Sequence, residues 1–256
     1  YTRIIYIIAK INSLFDIKKM YGIVFFYSLL VLINRLKVGV VWRGDTQQYI
    51  EKSVIRPPVY PLLMDVFKFV FGTHEFIALI CFQLLFVLIS AFYLSNILRK
   101  KFELHPITFT LLHLLLSLPL LSISVAAGIQ GEIGNSLLTE AISYGFFLFA
   151  VSFLVKTYFL NKRRNFLIFL FLISILMLIR TPMIFMYAIA IFLVLYLYMR
   201  DKNARLLAGL ILAVIIAVLI ADLGEQFYHK SVNNYFGKIN RDASHMLVGA
   251  VYISDE

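Results

Sequence analysis

The feature that most constrains this chain is a succession of apolar runs, each long enough to cross a bilayer. Crossing about 30 Å of hydrocarbon takes roughly 17 to 25 helical residues. Because unpaired backbone N–H and C=O groups are costly in lipid, such runs cross as helices. We predict seven spans, two of them short, at residues 20–41, 76–98, 105–127, 137–159, 165–180, 183–199 and 204–223.

Composition supports the same class of protein. Hydrophobic residues make up 61% of the 256 positions and charged residues 15%, against about 45–50% and about 25% in soluble domains. A soluble fold of this size has no way to cover so much apolar surface with so few charges. The predicted fold is an all-α integral membrane protein, a polytopic helical bundle. The single cysteine, Cys81, rules out a disulfide within the chain.

The positive charges collect in alternate short loops. The chain has 24 Lys and Arg against 14 Asp and Glu, and the basic groups at 99–101, 162–164 and 200–205 follow the second, fourth and sixth spans. This pattern indicates cytoplasmic loops and not a nucleic-acid-binding surface. We therefore predict a multi-pass protein of the inner (plasma) membrane. The opposite, extracytoplasmic face then holds residues 42–75, 128–136, 180–182 and 224–256.

Two further segments are apolar but unsuited to spanning. Residues 1–15 are too short and carry two basic residues, while residues 62–72 have an amphipathic pattern. Both are typical of helices lying in the membrane interface. The predicted organisation is a transmembrane catalytic module over 1–223, followed by 224–256 as an external loop or the beginning of another domain.

The first external loop carries the densest polar pattern. Asp45 and Tyr49 are four residues apart and share a face if this segment is helical. In the run from Arg56 to Pro61 three prolines form a stiff bend that fixes the directions of Arg56 and Tyr60. The alternative is structural: Asp45 caps the helix that follows it, and the prolines end an interfacial segment.

Two other polar motifs border predicted spans. Glu140 follows Leu-Leu-Thr at the start of the fourth span, and Arg180 stands before Thr-Pro between two apolar runs. Together with the first loop, these motifs resemble the GT-C superfamily of membrane glycosyltransferases, in particular the bacterial enzymes similar to protein mannosyltransferases and aminoarabinose transferases. The resemblance covers about residues 20 to 200. The motifs are Asp45-x-x-x-Tyr49, Arg56-Pro-Pro-x-Tyr60-Pro-Leu-Leu, Leu137-Leu-Thr-Glu140 and Leu178-Ile-Arg180-Thr-Pro182.

The sequence departs from that family in two respects. Its members usually have more spans and a soluble C-terminal domain, which leads us to expect a partial chain. The acidic pair common in their first loop is here Gly44-Asp45, which leaves the identity of the base open between Asp45 and another carboxylate.

The chemistry that the resemblance implies assigns roles to these residues. A sugar on a polyprenyl phosphate leaves as a phosphate, which guanidinium groups bind well, so Arg56 and Arg180 are the predicted phosphate ligands. The acceptor hydroxyl must lose a proton, and Asp45 is the predicted base. Asp45 as an oxygen ligand of a divalent metal ion is the alternative cofactor prediction. For Arg180 the alternative is a snorkelling side chain at a span end.

Other polar residues are predicted to contact substrate. Glu140 lies on a helical stripe with Ser136 and Ser143 and is predicted to take part in catalysis, the alternative being a capping or interhelical role. Glu132 is the substitute acid. Tyr49, Tyr60, Glu132 and His229 are the predicted substrate-binding residues.

The predicted function is transfer of a sugar from a polyprenyl-phosphate donor to an acceptor at the extracytoplasmic face, with the inverting displacement that the resemblance implies. The expected partners are that donor, membrane lipids and an acceptor that is a glycan, a lipid or a protein. The alternatives are a polysaccharide polymerase, and a transporter or non-catalytic membrane subunit, for which residues 165–199 would form broken helices near the midplane.

Overall fold

The computed structural model describes residues 16–120, 134–160 and 162–237, and these ranges form an all-helical structure without strands. A single β-bridge, between Val41 and Ser136, lies outside the helices. The nine α-helices of the described ranges are α1 Ile17–Val38, α2 Thr46–Ile50, α3 Val59–Phe71, α4 Glu75–Phe102, α5 Pro106–Ser117, α6 Thr139–Leu160, α7 Arg163–Ile179, α8 Phe185–Asp201 and α9 Ala204–Asn233.

Five helical stretches of the described chain are long and apolar enough to cross a membrane. This confirms the predicted all-α membrane class. The predicted spans 105–127 and 165–180 correspond to α5, with 12 residues, and α7, with 17, and residues 121–127 lie outside the described ranges. The number of crossings therefore stays a prediction. The five stretches are Ile17–Val38, Val59–Phe102, Thr139–Leu160, Thr181–Asp201 and Ala204–Asn233.

The helices pack side by side in an order that differs from their order along the chain. α4 packs against α1, α5 and α6, and α6 packs in turn against α7. α7 and α8 both contact α9. α4, α6 and α7 therefore form the middle of the bundle, between α1 and α5 on one side and α8 and α9 on the other.

Predicted boundaries differ from the helices at several points. The predicted interfacial segment 62–72 corresponds to α3, Val59–Phe71, which is followed by Gly72 with a positive φ of 53°. The last helix continues to Asn233, ten residues beyond the predicted end of its span at 223. Residues 1–15 and 238–256 lie outside the described ranges.

One end of the bundle brings together four helix termini. The C-terminal halves of α1 and α7 and the N-terminal halves of α4 and α6 share a buried cluster that includes Val31, Leu79, Ile142 and Ile179. We call this the site end. The opposite end holds the basic groups that follow α4, α6 and α8, as shown by Lys101, whose ammonium lies 4.7 Å from the ring centroid of Phe159.

The loop after α1 is fastened to the residues before α6. The side-chain amide nitrogen of Asn135 donates to the backbone carbonyl oxygens of Arg35 and Gly39, at 2.6 and 2.7 Å. The Val41 N–H donates to the Asn135 carbonyl at 2.9 Å, and the Leu137 N–H to the Val41 carbonyl at 3.3 Å. These four bonds, the Asn135 clasp, place the first loop directly over the start of α6.

Candidate functional site

Asp45 and Arg56 form an ion pair at the site end. The Asp45 Oδ1 and the Arg56 Nη2 are 2.6 Å apart, with side chains 54% and 20% exposed. Although Asp45 precedes α2 in the N-cap position, its side chain makes no capping bond. Its carboxylate instead pairs with Arg56 across the loop. The alternative in which Asp45 caps the following helix therefore does not apply.

Arg56 is held by three further contacts. Its Nε donates to the Gln48 side-chain oxygen at 2.8 Å, and its Nη1 donates to the Tyr49 hydroxyl at 3.4 Å. The guanidinium carbon lies 4.8 Å from the centroid of the Tyr49 ring, within cation–π range. In the proline-rich run, α3 begins at Val59, directly after Pro58. Arg56 is thus held by Asp45, Gln48 and Tyr49, while 20% of its side chain remains exposed to solvent.

A second ion pair joins Glu140 to Arg180. Their Oε1 and Nη1 atoms are 3.3 Å apart, with side chains 36% and 39% exposed. Glu140 lies in the first turn of α6, where the positive end of the helix dipole favours an anion. Arg180 has extended backbone angles after α7, just before the short 3-10 turn that contains Pro182. After the Thr-Pro break the guanidinium thus faces the first turn of α6.

The second oxygen of Glu140 is buried and has no hydrogen-bond partner in the described structure. A carboxylate oxygen in that position has a strong preference for a donor. The arrangement leaves this buried oxygen of Glu140 with an unused acceptor site.

Tyr60 is completely buried next to Tyr49. Its hydroxyl donates to the Gln83 side-chain oxygen at 2.7 Å, and the Gln83 amide donates to the Ser136 carbonyl at 3.3 Å. The Tyr60 ring packs edge-on against Tyr49, with 5.1 Å between centroids. Tyr60 therefore packs against Tyr49. It could contact substrate directly only if the residues that bury it moved away.

Tyr49 connects the two ion pairs. Its hydroxyl lies 3.4 Å from the Thr139 hydroxyl, in the residue before Glu140, and it accepts the bond from Arg56 described above. Thr46, in the same short helix, donates to the Leu137 carbonyl at 3.4 Å. Contacts through the buried side chains of Tyr49 and Thr139 thus connect three chain segments, and we call this connected set the polar seam. Its members are Asp45, Tyr49, Arg56, Thr139, Glu140 and Arg180.

Two predicted site residues are not part of this seam as described. Glu132 lies outside the described residues. His229 is buried near the end of α9, and its Nδ1 lies 3.1 Å from the Asn233 amide nitrogen in the same helix. This contact of His229 lies within α9, and its substrate-binding role stays a prediction.

The polar seam does not offer a metal-binding donor set. Asp45, the predicted ligand, already faces Arg56, and the described residues contain no group of three or more His, Cys, Asp and Glu side chains that could hold an ion. Hard divalent cations such as Ca²⁺ and Mg²⁺ take roughly six to eight oxygen ligands. The side chains described here do not fit a divalent ion at Asp45.

Comparisons of the chain with protein-family models, with curated proteins and with solved structures found no match. The resemblance to glycosyltransferases therefore depends on the sequence motifs alone.

The sequence analysis did not predict a role for Gln83, Asn135 or Thr139. Gln83 lies within a predicted apolar span, Asn135 lies in a predicted external loop, and Thr139 precedes the predicted site residue Glu140. A signal existed for Gln83, because an amide in the middle of an apolar run is costly unless it is hydrogen-bonded. For Asn135 and Thr139 only the fold shows the partners.

Proposed function

We propose that this chain is a membrane glycosyltransferase that moves a sugar from a polyprenyl-phosphate donor to an acceptor at the extracytoplasmic face. The observation that carries the proposal is the polar seam: two carboxylates and two guanidinium groups, from three separate segments, meet at one end of an apolar bundle. A reaction with an anionic leaving group and a hydroxyl nucleophile needs both kinds of group within reach.

The proposed reaction is an inverting displacement. The acceptor oxygen attacks C1 of the sugar, the bond from C1 to the phosphate oxygen breaks, and the phosphate departs with the electron pair. The acceptor proton passes to Asp45. Arg56 and Arg180 bind the phosphate oxygens and stabilise the charge that develops on them.

This scheme requires the Asp45–Arg56 pair to separate when the donor binds. A carboxylate bridged to a guanidinium at 2.6 Å has an oxygen already engaged, so phosphate must replace Asp45 on Arg56 before Asp45 can accept a proton. Asp45 is the more exposed partner, and Arg56 keeps its bonds to Gln48 and Tyr49. Arg56 therefore stays in place while Asp45 turns to the acceptor.

A lipid-linked donor also suits the apolar surface next to the seam. A groove of about 370 Å³ lies between α1 and α4, with Tyr21, Ser28 and Leu32 on one wall and Leu85 and Phe92 on the other. Leu32 packs against the same buried cluster that contains Tyr49 and Tyr60. Because Leu88 of the groove belongs to that cluster and Leu32 packs against it, we propose that the groove holds the isoprenoid tail of the donor.

The test is transfer activity of the purified full chain in lipid nanodiscs, with a panel of radiolabelled polyprenyl-phosphate sugars and lipid, glycan and peptide acceptors. We expect transfer with at least one donor, and a loss of about 10²–10⁴-fold in kcat for Asp45→Asn with donor binding retained. Asp65→Asn is the matched control, since Asp65 pairs with Lys52 at 2.8 Å in the same part of the chain but outside the seam.

Two results would contradict the proposal. Undiminished transfer by Asp45→Asn would remove Asp45 as the base. Absence of both donor binding and transfer across the whole panel, in a protein that is folded and monodisperse, would reject the glycosyltransferase assignment.

A further inference from the structure

A second polar groove lies at the end of the bundle opposite the polar seam. It consists of two adjoining cavities, of about 310 and 490 Å³, between the first turns of α7 and α9. The two cavities share Arg163, Asn203, Leu206 and Leu210. We call the combined space the α7–α9 groove.

The rim of this groove is cationic. Lys162, Arg163 and Arg205 line it with exposed side chains, and in the described ranges no carboxylate forms an ion pair with any of the three. Asp201 also lines the groove but is bridged by Arg200 at 2.8 Å, so it offsets little of the positive charge. The rim is thus complementary to an anion.

Two helix N-termini add to this positive character. α7 begins at Arg163 and α9 at Ala204, and the positive ends of both helix dipoles point toward the rim. Asn203 caps α9, its side-chain oxygen accepting the Leu206 N–H at 3.0 Å. The cap holds the start of α9, and with it Arg205, in a fixed position beside Arg163.

Below the rim the groove is apolar. Its wall is formed by Leu167 of α7 and by Leu206, Gly209 and Ala213 of α9, which together extend about 10 Å along α9 at 1.5 Å per residue. Gly209 has nothing within 4 Å of the position where a Cβ would be. The wall is therefore a furrow that runs from a cationic rim toward the hydrocarbon.

We propose that the α7–α9 groove binds an anionic phospholipid. The phosphate lies on Arg163 and Arg205, and one acyl chain follows the furrow past Gly209. A small soluble anion would use the rim and leave the apolar wall empty. A zwitterionic lipid such as phosphatidylcholine would use the wall but bring a trimethylammonium group to a rim that is already cationic. An anionic lipid satisfies both parts, as basic pockets between membrane helices commonly do.

The charge requirement is tested by lipid titration of the full chain in detergent, with bound lipid counted by native mass spectrometry. The probes are phosphatidylglycerol, phosphatidylcholine and, as soluble anions, inorganic phosphate and glycerol 3-phosphate. We expect Arg163→Gln with Arg205→Gln to weaken phosphatidylglycerol binding about thirtyfold. Lys18→Gln with Lys100→Gln removes the same charge from exposed positions on α1 and α4 and should leave the affinity within about twofold.

Two more variants separate a lipid from a soluble anion and protect against a folding artefact. Arg163→Lys with Arg205→Lys keeps the charge and should retain most phosphatidylglycerol binding. Gly209→Leu fills the furrow and should reduce that binding without changing the response to inorganic phosphate. Gly22→Leu, at a helical glycine that likewise has nothing within 4 Å of its Cβ position, is the matched control.

Equal affinity for phosphatidylglycerol and phosphatidylcholine would overturn the proposal, and so would equal losses in the two double charge variants. Competition by glycerol 3-phosphate at the same concentration as the lipid would show an anion site without a lipid. The variants lie at the opposite end of the bundle from the polar seam, so these outcomes are independent of whether the chain transfers sugars.

Discussion

The Tyr49 hydroxyl lies 3.4 Å from the Thr139 hydroxyl, across 90 positions of sequence. This contact joins the first loop, which holds Asp45 and Arg56, to the start of α6, which holds Glu140. The Thr46 bond and the Asn135 clasp fasten the same loop to the residues just before α6. The geometry of the polar seam therefore depends on how the loop is fastened to α6, which several substitutions can probe.

The Asn135 clasp is the first such test. Asn135→Ala removes two hydrogen bonds to the end of α1, and at about 0.5–1.5 kcal/mol each we expect a loss of about 1–3 kcal/mol in the free energy of unfolding. Thermal unfolding in detergent measures it. Ser231→Ala, which removes a bond within α9, is the control. A loss no greater than that of Ser231→Ala would show that the clasp is not needed for stability.

Gln83 makes the second test. Gln83→Leu leaves the fully buried Tyr60 hydroxyl without an acceptor and frees the Ser136 carbonyl, so we expect a destabilisation of about 1–3 kcal/mol. Tyr60→Phe in the same background should recover part of that loss, because it removes the unsatisfied group. Additive effects in the double variant, measured by the same thermal unfolding, would contradict the hydrogen bond.

Gly145 allows α4 and α6 to approach closely. A Cβ built at this position overlaps the ring of Phe86 on α4, so we expect Gly145→Ala to destabilise the bundle by about 1–3 kcal/mol through overpacking. Gly22→Ala in α1, where the new Cβ meets nothing within 4 Å, serves as control and should change stability by less than about 1 kcal/mol. Equal midpoints for the two variants would argue against close packing at Gly145.

The groove between α1 and α4 can be filled without disturbing the core. Leu85 lines it and is 40% exposed, so Leu85→Trp should raise the KM for a long-chain donor several-fold while sparing a donor with a truncated tail. Leu195→Trp, at a comparably exposed position on α8, should leave both donors unaffected. Identical KM values for the long-chain donor in the two variants would place the tail elsewhere.

Labelling can test which side of the membrane each end of the bundle faces. In a Cys81→Ser background, we expect Gln47→Cys to react with an impermeant maleimide added outside intact cells and Lys162→Cys to react only after permeabilisation. The reason is the excess of Lys and Arg around Lys162. Labelling of both positions from the same side would contradict the topology.

Much of the site could be predicted from residue type and spacing. The bend at Pro57 and Pro58 indicated that Arg56 is held rigidly, and the Thr-Pro break indicated that Arg180 does not continue a span. The pairing of each arginine with one carboxylate was not predictable, because ion-pair partners are chosen by distance in space and no local pattern encodes that distance. The same is true of Gln83, whose two partners lie on α3 and before α6.

By itself the sequence determined that this protein is a bundle of membrane-sized helices and which polar residues border them, because apolar run length and helix-breaking residues act over a few neighbouring positions. The tertiary structure alone decided that Asp45 faces Arg56, that Glu140 faces Arg180, and that Tyr49 joins them. The Glu140–Arg180 and Tyr49–Thr139 contacts link distant residues that meet only when α6, α7 and the first loop pack at one end of the bundle. Helix packing depends on side-chain shape along whole faces and not on any short motif.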